Sequence, residues 1–159
     1  INMADLTVTI TESVTLNGAA RGSSNALTIA GVDDIYHRII TVPSGVDTTL
    51  VNFHATVGAS DSSLDVENVK YIRCTNLDSS NPINLSLQVD AGEDDSAADA
   101  SVTLLLEAGK SFVMGAPSDG IAVDDDAATI LTTLNNVESI IADSASAAVQ
   151  MEVFVASVV

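Results

Sequence analysis

The sequence predicts one all-β domain, an antiparallel β-sandwich of jelly-roll type with roughly eight to ten short strands and at most one short helical segment. Three observations carry that expectation. Apolar and polar residues alternate with period two along most of the chain. Turn-forming clusters interrupt the alternation every ~8–12 residues. The composition is also that of strands and corners. Hydrophobic residues reach 47% with only three Phe, two Tyr and no Trp. The core must therefore be aliphatic, and β-branched residues suit a pleated surface while Asx and Ser suit corners.

Leu6, Val8 and Ile10 alternate with Thr7, Thr9 and Thr11, and Val14 and Leu16 resume the pattern. "NGAARGSSN", Asn17 to Asn25, reads as a turn before a short strand around Ala26 to Ala30. "IYHRIITV", Ile35 to Val42, is a strand stopped by Pro43-Ser44-Gly45. "TLVNFHATV", Thr49 to Val57, places Val51, Phe53, Ala55 and Val57 on one face. A Ser/Asp-rich link from Ser60 to Asp65 leads to a strand that ends in the corner "TNLDSSNP". Ile83, Leu85, Leu87 and Val89 then face one way, and Asn84, Ser86, Gln88 and Asp90 the other.

"DAGEDDSAADAS", Asp90 to Ser101, reads as a polar acidic loop, followed by strands at Val102 to Leu106 and Ser111 to Met114. Pro117 to Gly120 turns into a short apolar piece and the run Asp124 to Asp126. Between Asp126 and Ile141, Ile130, Leu131, Leu134, Val137 and Ile141 fit helical spacing. Thr129, Thr132, Thr133, Asn135 and Asn136 are poor helix formers. A turn or one helical segment, then strand, is expected there. The last strand alternates Val149, Met151, Val153 and Val155 with Gln150, Glu152, Phe154 and Ala156. No Pro- or Gly-rich linker divides residues 1–159, and residues 1–4 are expected to be a flexible N-terminus.

Charge excludes more than it assigns. Twenty-two acidic residues against five basic ones give a net charge of −17. The cations are Arg21, Arg38, Lys70, Arg73 and Lys110. Nucleic-acid binding needs Lys and Arg to displace phosphate counterions, and an anionic membrane makes the same demand. Neither partner is expected. The longest apolar runs fall far short of the ~20 residues that span a bilayer. "INMADLTVTI" holds no basic segment and no signal-peptide core, and Met3-Ala4-Asp5 reads as a translation start after Ile1 and Asn2. Cys74 has no internal disulfide partner and reads as a small buried apolar residue.

No catalytic constellation stands out. His37 and His54 lie in separate strand patterns, each predicted on a solvent-facing side and in no HxH or HExxH arrangement. GxSxG, GxGxxG and GxxxxGK[ST] are absent, and "AGKS", Ala108 to Ser111, is flanked by strands rather than followed by a helix. An enzyme would need an exposed pocket holding His37 or His54 against two carboxylates. Glu93, Asp94 and Asp95, with Asp124, Asp125 and Asp126, are candidate calcium loops, since calcium takes several oxygens. EF-hand spacing is missing, so solvated acidic loops are the plainer reading, and no other cofactor is expected. Tyr36 and Tyr71 are the candidate platforms for a sugar. In the corner, Asn76, Asp78, Ser79, Ser80 and Pro82 each have a conformational reason to be there.

"YIRCTNLDSSNPINLSLQV", "LLLEAGKSFVM" and "VESIIADSASAAVQMEVFVAS", over roughly residues 69 to 156, resemble the small β-sandwich virion proteins of tailed bacteriophages, particularly marine ones. In those, a strand ending in a "TNLD"-type corner precedes an "AG(K/E)S" turn, and an alternating strand closes the sheet. The resemblance implies a non-enzymatic subunit on the virion exterior that decorates or cements a capsid, or belongs to a fibre or tail accessory. Its partners would be sister copies, a trimer first, and the major capsid protein. The other readings are an extracellular fibre or adhesin and a calcium-dependent carbohydrate-binding module.

Overall fold

Residues 3–54, 63–90, 100–124 and 130–158 are described by a computed structural model. Thirteen strands form among them, and no helix. Their order is β1 (Ala4–Thr11), β2 (Thr15–Leu16), β3 (Ala19–Ala20), β4 (Ser24–Val32), β5 (Asp34–Val42), β6 (Thr48–His54), β7 (Ser63–Asp65), β8 (Val69–Asn76), β9 (Ile83–Val89), β10 (Ala100–Leu106), β11 (Ser111–Met114), β12 (Val137–Asp143) and β13 (Val149–Ser157).

Nine strands make the two sheets of a sandwich. One sheet runs β11-β8-β13-β5, the other β10-β9-β12-β6 with β7 added parallel to β6. Without β7, the eight strands taken in chain order lie first–eighth–third–sixth in one sheet and second–seventh–fourth–fifth in the other. All of those pairs are antiparallel. That is the double Greek key of a jelly roll.

Alternation explains the core. Ile83, Leu85, Leu87 and Val89 of β9 meet Val149, Met151, Val153 and Val155 of β13 across the sandwich, all at most 3% exposed. Ile72 and Cys74 of β8, Phe53 of β6 and Ile140 of β12 join them. The core is aliphatic, as the composition requires. Burial pushes the Cys74 thiol up to about 12, so it stays protonated and inert at neutral pH.

The outer faces differ. On the five-stranded sheet, Asn84, Ser86, Gln88, Ser101 and Thr103 point outward beside exposed Leu105, a mostly polar surface. On the four-stranded sheet, Ile35, Ile39, Tyr71 and Phe154 share the outer face with His37, Arg73 and Glu152.

β1 to β4 form one amphipathic ribbon. β1 and β4 pair from Ala4↔Val32 to Thr11↔Ser24, so Ala4 is already part of a strand rather than of a free terminus. Leu6, Val8 and Ile10 share a face with Ile29 and Leu27, while Thr7, Thr9 and Thr11 line the other. The ribbon ends in the Asn17-Gly18 turn, both residues at positive φ (52° and 77°), as a tight primed hairpin demands. The sequence-predicted turn, Asn17 to Asn25, therefore narrows to two residues, and Ala19–Ala20 continue the pairing. Among the described residues, only the ribbon's base is seated: Leu6, Val8 and Ile29 pack with Tyr71, Phe154, Ala156 and Val158 on the four-stranded sheet.

Midway, Gly22 lies so close to the opposite strand that an added Cβ would sit 2.0 Å from the Glu12 carbonyl oxygen. Gly22→Ala is expected to break the ribbon there and leave the body intact. Trypsin cutting at Arg21, the one basic residue of the ribbon, should accelerate about tenfold or more, following the opened fraction, with an unchanged melting transition.

Candidate functional site

Four places on the described residues bring chemistry-bearing side chains together. The first is a row across the outer face of the four-stranded sheet. Glu152 of β13 accepts from Arg73 Nη1 through Oε2 at 2.7 Å and lies 2.8 Å from His37 Nε2 through Oε1. Arg73 also donates to Thr75 Oγ1, which is 2.8 Å from Ser111 Oγ. Phe154 supports the row, with the Arg73 guanidinium 6.0 Å from its ring centre and the His37 ring at 5.7 Å.

Alternation positions these groups. β5, β13, β8 and β11 each send every second residue outward, and the register sets Glu152 beside Thr75 and Phe154 beside both His37 and Arg73. The Arg73 and His37 hydrogen bonds hold the Glu152 carboxyl below its ordinary range. A lowered carboxylate stabilises the fold above its ordinary pKa, and that contribution is lost as pH falls through the carboxylate range. The pair is partly open to solvent, with Glu152 22% exposed and Arg73 28%. Glu152→Gln should therefore lower stability by under about 1 kcal/mol near neutrality. The difference from the parent protein should shrink as pH falls through that lowered range and vanish once the carboxyl is protonated, as read from melting curves taken across pH.

The second place is a small cavity of about 90 Å³ lined by Phe53, His54, Val66, Asp90, Asn136, Val137 and Glu138. It sets His54 near two carboxylates, the arrangement an enzyme reading asked for. One Asp90 oxygen, Oδ1, is buried without a hydrogen-bond partner. The lining holds neither Ser nor Cys as a nucleophile. Its volume equals about three waters at ~30 Å³ each, far below the ~300 Å³ of a small-molecule pocket.

The third place is an oxygen-rich depression of about 270 Å³ on the polar sheet face, lined by Asp47, Asn84, Ser86, Thr103, Ile141, Ala142 and Asp143. Asp143 Oδ1 is buried there without a partner. Among the described residues, no group of three His, Cys, Asp or Glu is placed to hold a metal ion. Of the candidate calcium loops, Asp124 is described, whereas Glu93, Asp94, Asp95, Asp125 and Asp126 lie outside the described residues.

The fourth place escaped sequence reasoning. Where the ribbon lifts off the sheet, a groove of about 260 Å³ opens between Val8, Ile10, Ala26 and Leu27 of the ribbon and Tyr71, Val113 and Met114 of β8 and β11. Its only sequence signal is the alternation of Leu6, Val8 and Ile10, which shows an apolar face without saying what covers it.

The remaining candidates are structural. Tyr71 is buried beneath the ribbon, and the Tyr36 hydroxyl donates to Leu50 O at 3.1 Å, so neither ring offers a free platform. Gly109 lies at φ +71° in the β10–β11 turn, where Lys110 N donates to Glu107 O at 3.1 Å, so "AGKS" is a turn. In the corner, Asn76 is fully buried. Its Nδ2 donates to Asn81 O and Leu106 O, and its Oδ1 accepts from Asp78 N at 2.9 Å. Asp78 Oδ1 in turn accepts from the Ser80 and Asn81 main chain, and these bonds hold its carboxyl below the ordinary range.

Fold and surface together define a jelly-roll sandwich carrying a half-seated ribbon arm. Compared with protein-family models, curated proteins and solved structures, the chain matches none.

Proposed function

We propose that this chain is a non-enzymatic structural protein of a bacteriophage virion, a capsid decoration or cement protein. It acts on the particle exterior through contacts with sister copies and with the major capsid protein. The observation that carries the assembly part is the ribbon. Ile10, Val14, Leu16 and Leu27 are each more than half exposed on an arm that, among the described residues, is seated only at its base. A two-stranded hairpin is marginal in water by itself, and an apolar one invites cover by another chain. The phage part rests on the resemblance of residues 69 to 156 to virion β-sandwiches. A mostly polar face on one sheet and, on the other, an arm-bearing face with Ile35 and Ile39 exposed suit a subunit with one side toward water and one toward neighbours.

Immunogold labelling of phage particles with antibody to the purified protein tests the assignment, together with co-sedimentation of the protein with capsids at marine salt. Labelled shells and retained protein are the expected results. Unlabelled particles and protein left in the supernatant, with and without calcium, overturn it. The oxygen-rich depression around Asp47 and Asp143 favours a second reading, a fibre-type or calcium-dependent carbohydrate-binding module. Glycan-array binding abolished by a chelator would replace the first reading with this one.

A further inference from the structure

We infer that the free edge of β5 pairs antiparallel with the same edge of a second copy, across a twofold axis at His37. This names the surface of the sister-copy contact proposed above and rests on that reading.

The edge is open and unguarded. Of the four outer strands of the sandwich, β5 has nine residues, against seven in β10, four in β11 and three in β7. Its ladder to β13 runs from Asp34↔Ser157 to Val42↔Val149 without a register shift. Alternate residues of an edge strand turn their N–H and C=O groups away from the sheet. Among the described residues, no strand or loop bonds to that side of β5. Sheets ordinarily guard such an edge with Pro, Lys, a bulge or a covering loop. β5 contains none of the first three, and the ribbon packs over β13, β8 and β11 instead.

The strand's own sequence selects a second copy. In "DIYHRIITV", antiparallel pairing centred on His37 sets Ile35 opposite Ile39 of the other copy, and symmetry repeats the pair. These are the strand's two exposed isoleucines, 44% and 61% exposed on the outer face. The same register sets Arg38 opposite Tyr36, with Asp34 of the other copy at the diagonal position, within reach of a long side chain. Asp34 and Arg38 are both exposed, so each meets its opposite charge across the axis. Centring on Arg38 instead sets arginine against arginine and isoleucine against histidine, and centring on Tyr36 leaves Ile39 outside the paired stretch. Each His37 enters with its own Glu152 2.8 Å away, so the centre gains no bare like charge. The contact closes on itself and joins the two four-stranded sheets into one. It yields pairs rather than the trimer that the resemblance implies.

Sedimentation equilibrium in 0.5 M sodium chloride, where repulsion between chains of net charge −17 is screened, tests this. The parent protein is expected to form dimers. Ile39→Lys should weaken association about tenfold or more, because both isoleucine pairs are lost. Arg38→Asp and Asp34→Arg should each weaken it by about tenfold, by setting like charges together. The double exchange Asp34→Arg with Arg38→Asp should restore it, and so should mixing the two single variants. Far-UV circular dichroism of each variant checks that the fold is kept. Under mild oxidation His37→Cys should crosslink into dimers, with buried Cys74 taking no part. Ile39→Cys, whose two copies stand about 13 Å apart along the strands, should not. A parent that is monomeric at every concentration, whatever other chain it binds, overturns the inference. So does association that the lysine and charge variants leave unchanged, association that the double exchange fails to restore, or crosslinking at Ile39→Cys in place of His37→Cys. If a monomeric protein still binds capsids, the decoration reading stands without this contact, and if it does not, both fall.

Discussion

Replacing Asn76 by leucine is expected to lower stability by about 2–4 kcal/mol, although the new side chain is similar in size and fully apolar. The site at the end of β8 is completely buried. Its amide satisfies three main-chain groups at once: the Asn81 and Leu106 carbonyls and the Asp78 N–H. Leucine would leave all three without that partner in a place water reaches poorly. The same residue also ties the corner to the β10–β11 turn, since Asn76 N donates to Lys110 O and Gly109 N donates to Asn76 O. Loss of the amide should therefore loosen two corners together. Denaturant unfolding gives the magnitude, and faster amide exchange at Gly109 and Asn81 locates it. Ser79→Ala, on the exposed rim of the same corner, should stay within about 0.5 kcal/mol of the parent. Equal effects at the two positions would refute the hub role of Asn76.

Leu85→Ala should be at least as damaging, at about 2–5 kcal/mol. Leu85 is fully buried in the middle of β9, between β10 and β12, and faces the other sheet. Removing its branched end leaves a void between two sheets whose backbones are fixed by their ladders, so the walls cannot collapse far. Leu105→Ala is the control, because Leu105 lies on the neighbouring strand but is 58% exposed. It should shift stability by less than about 0.5 kcal/mol. For a domain of this size each kcal/mol moves the melting temperature by about 2–4 °C, so the two leucines separate clearly in a thermal scan.

Most of the sandwich was legible because its strands bury one face only. Leu85 against Ser86, and Met151 against Glu152, announce both the strand and its inward side. β12 was not legible as strand throughout, for a physical reason. Its pairing shifts register between Val137 and Ser139 on the β9 side, and between Ile140 and Ile141 on the β6 side. The buried residues then become Val137, Ile140 and Ala142, spaced three and two apart. A bulged strand thereby imitates helical spacing, and the structure places strand from Val137 onward.

The corner was read correctly as a turn from its Asx and Pro residues, but the burial of Asn76 needed the fold. The row from His37 to Ser111 was hidden because its members lie up to 115 residues apart in sequence. Only the register of three strand pairs brings them together. The groove was hidden for a related reason, because alternation gives the ribbon an apolar face while its lift-off from the sheet is a tertiary matter.

The place of β13 has a consequence for biogenesis. It lies between β5 and β8, joining Val149 to Val42 and Met151 to Asn76. From Val42 to Val149 is 149 − 42 = 107 residues, which a ribosome adds in about 5–20 s at ~5–20 residues per second. β5 waits through all of that interval and β8 through its last 149 − 76 = 73 residues; until β13 is made the two cannot share a sheet, and both keep main-chain groups that any passing extended segment could capture. Closure of the molecule must wait for the strand made last among those described. Newborn chains at high expression are thus exposed to mispairing during synthesis, and slower growth in the cold should raise the yield of well-folded protein.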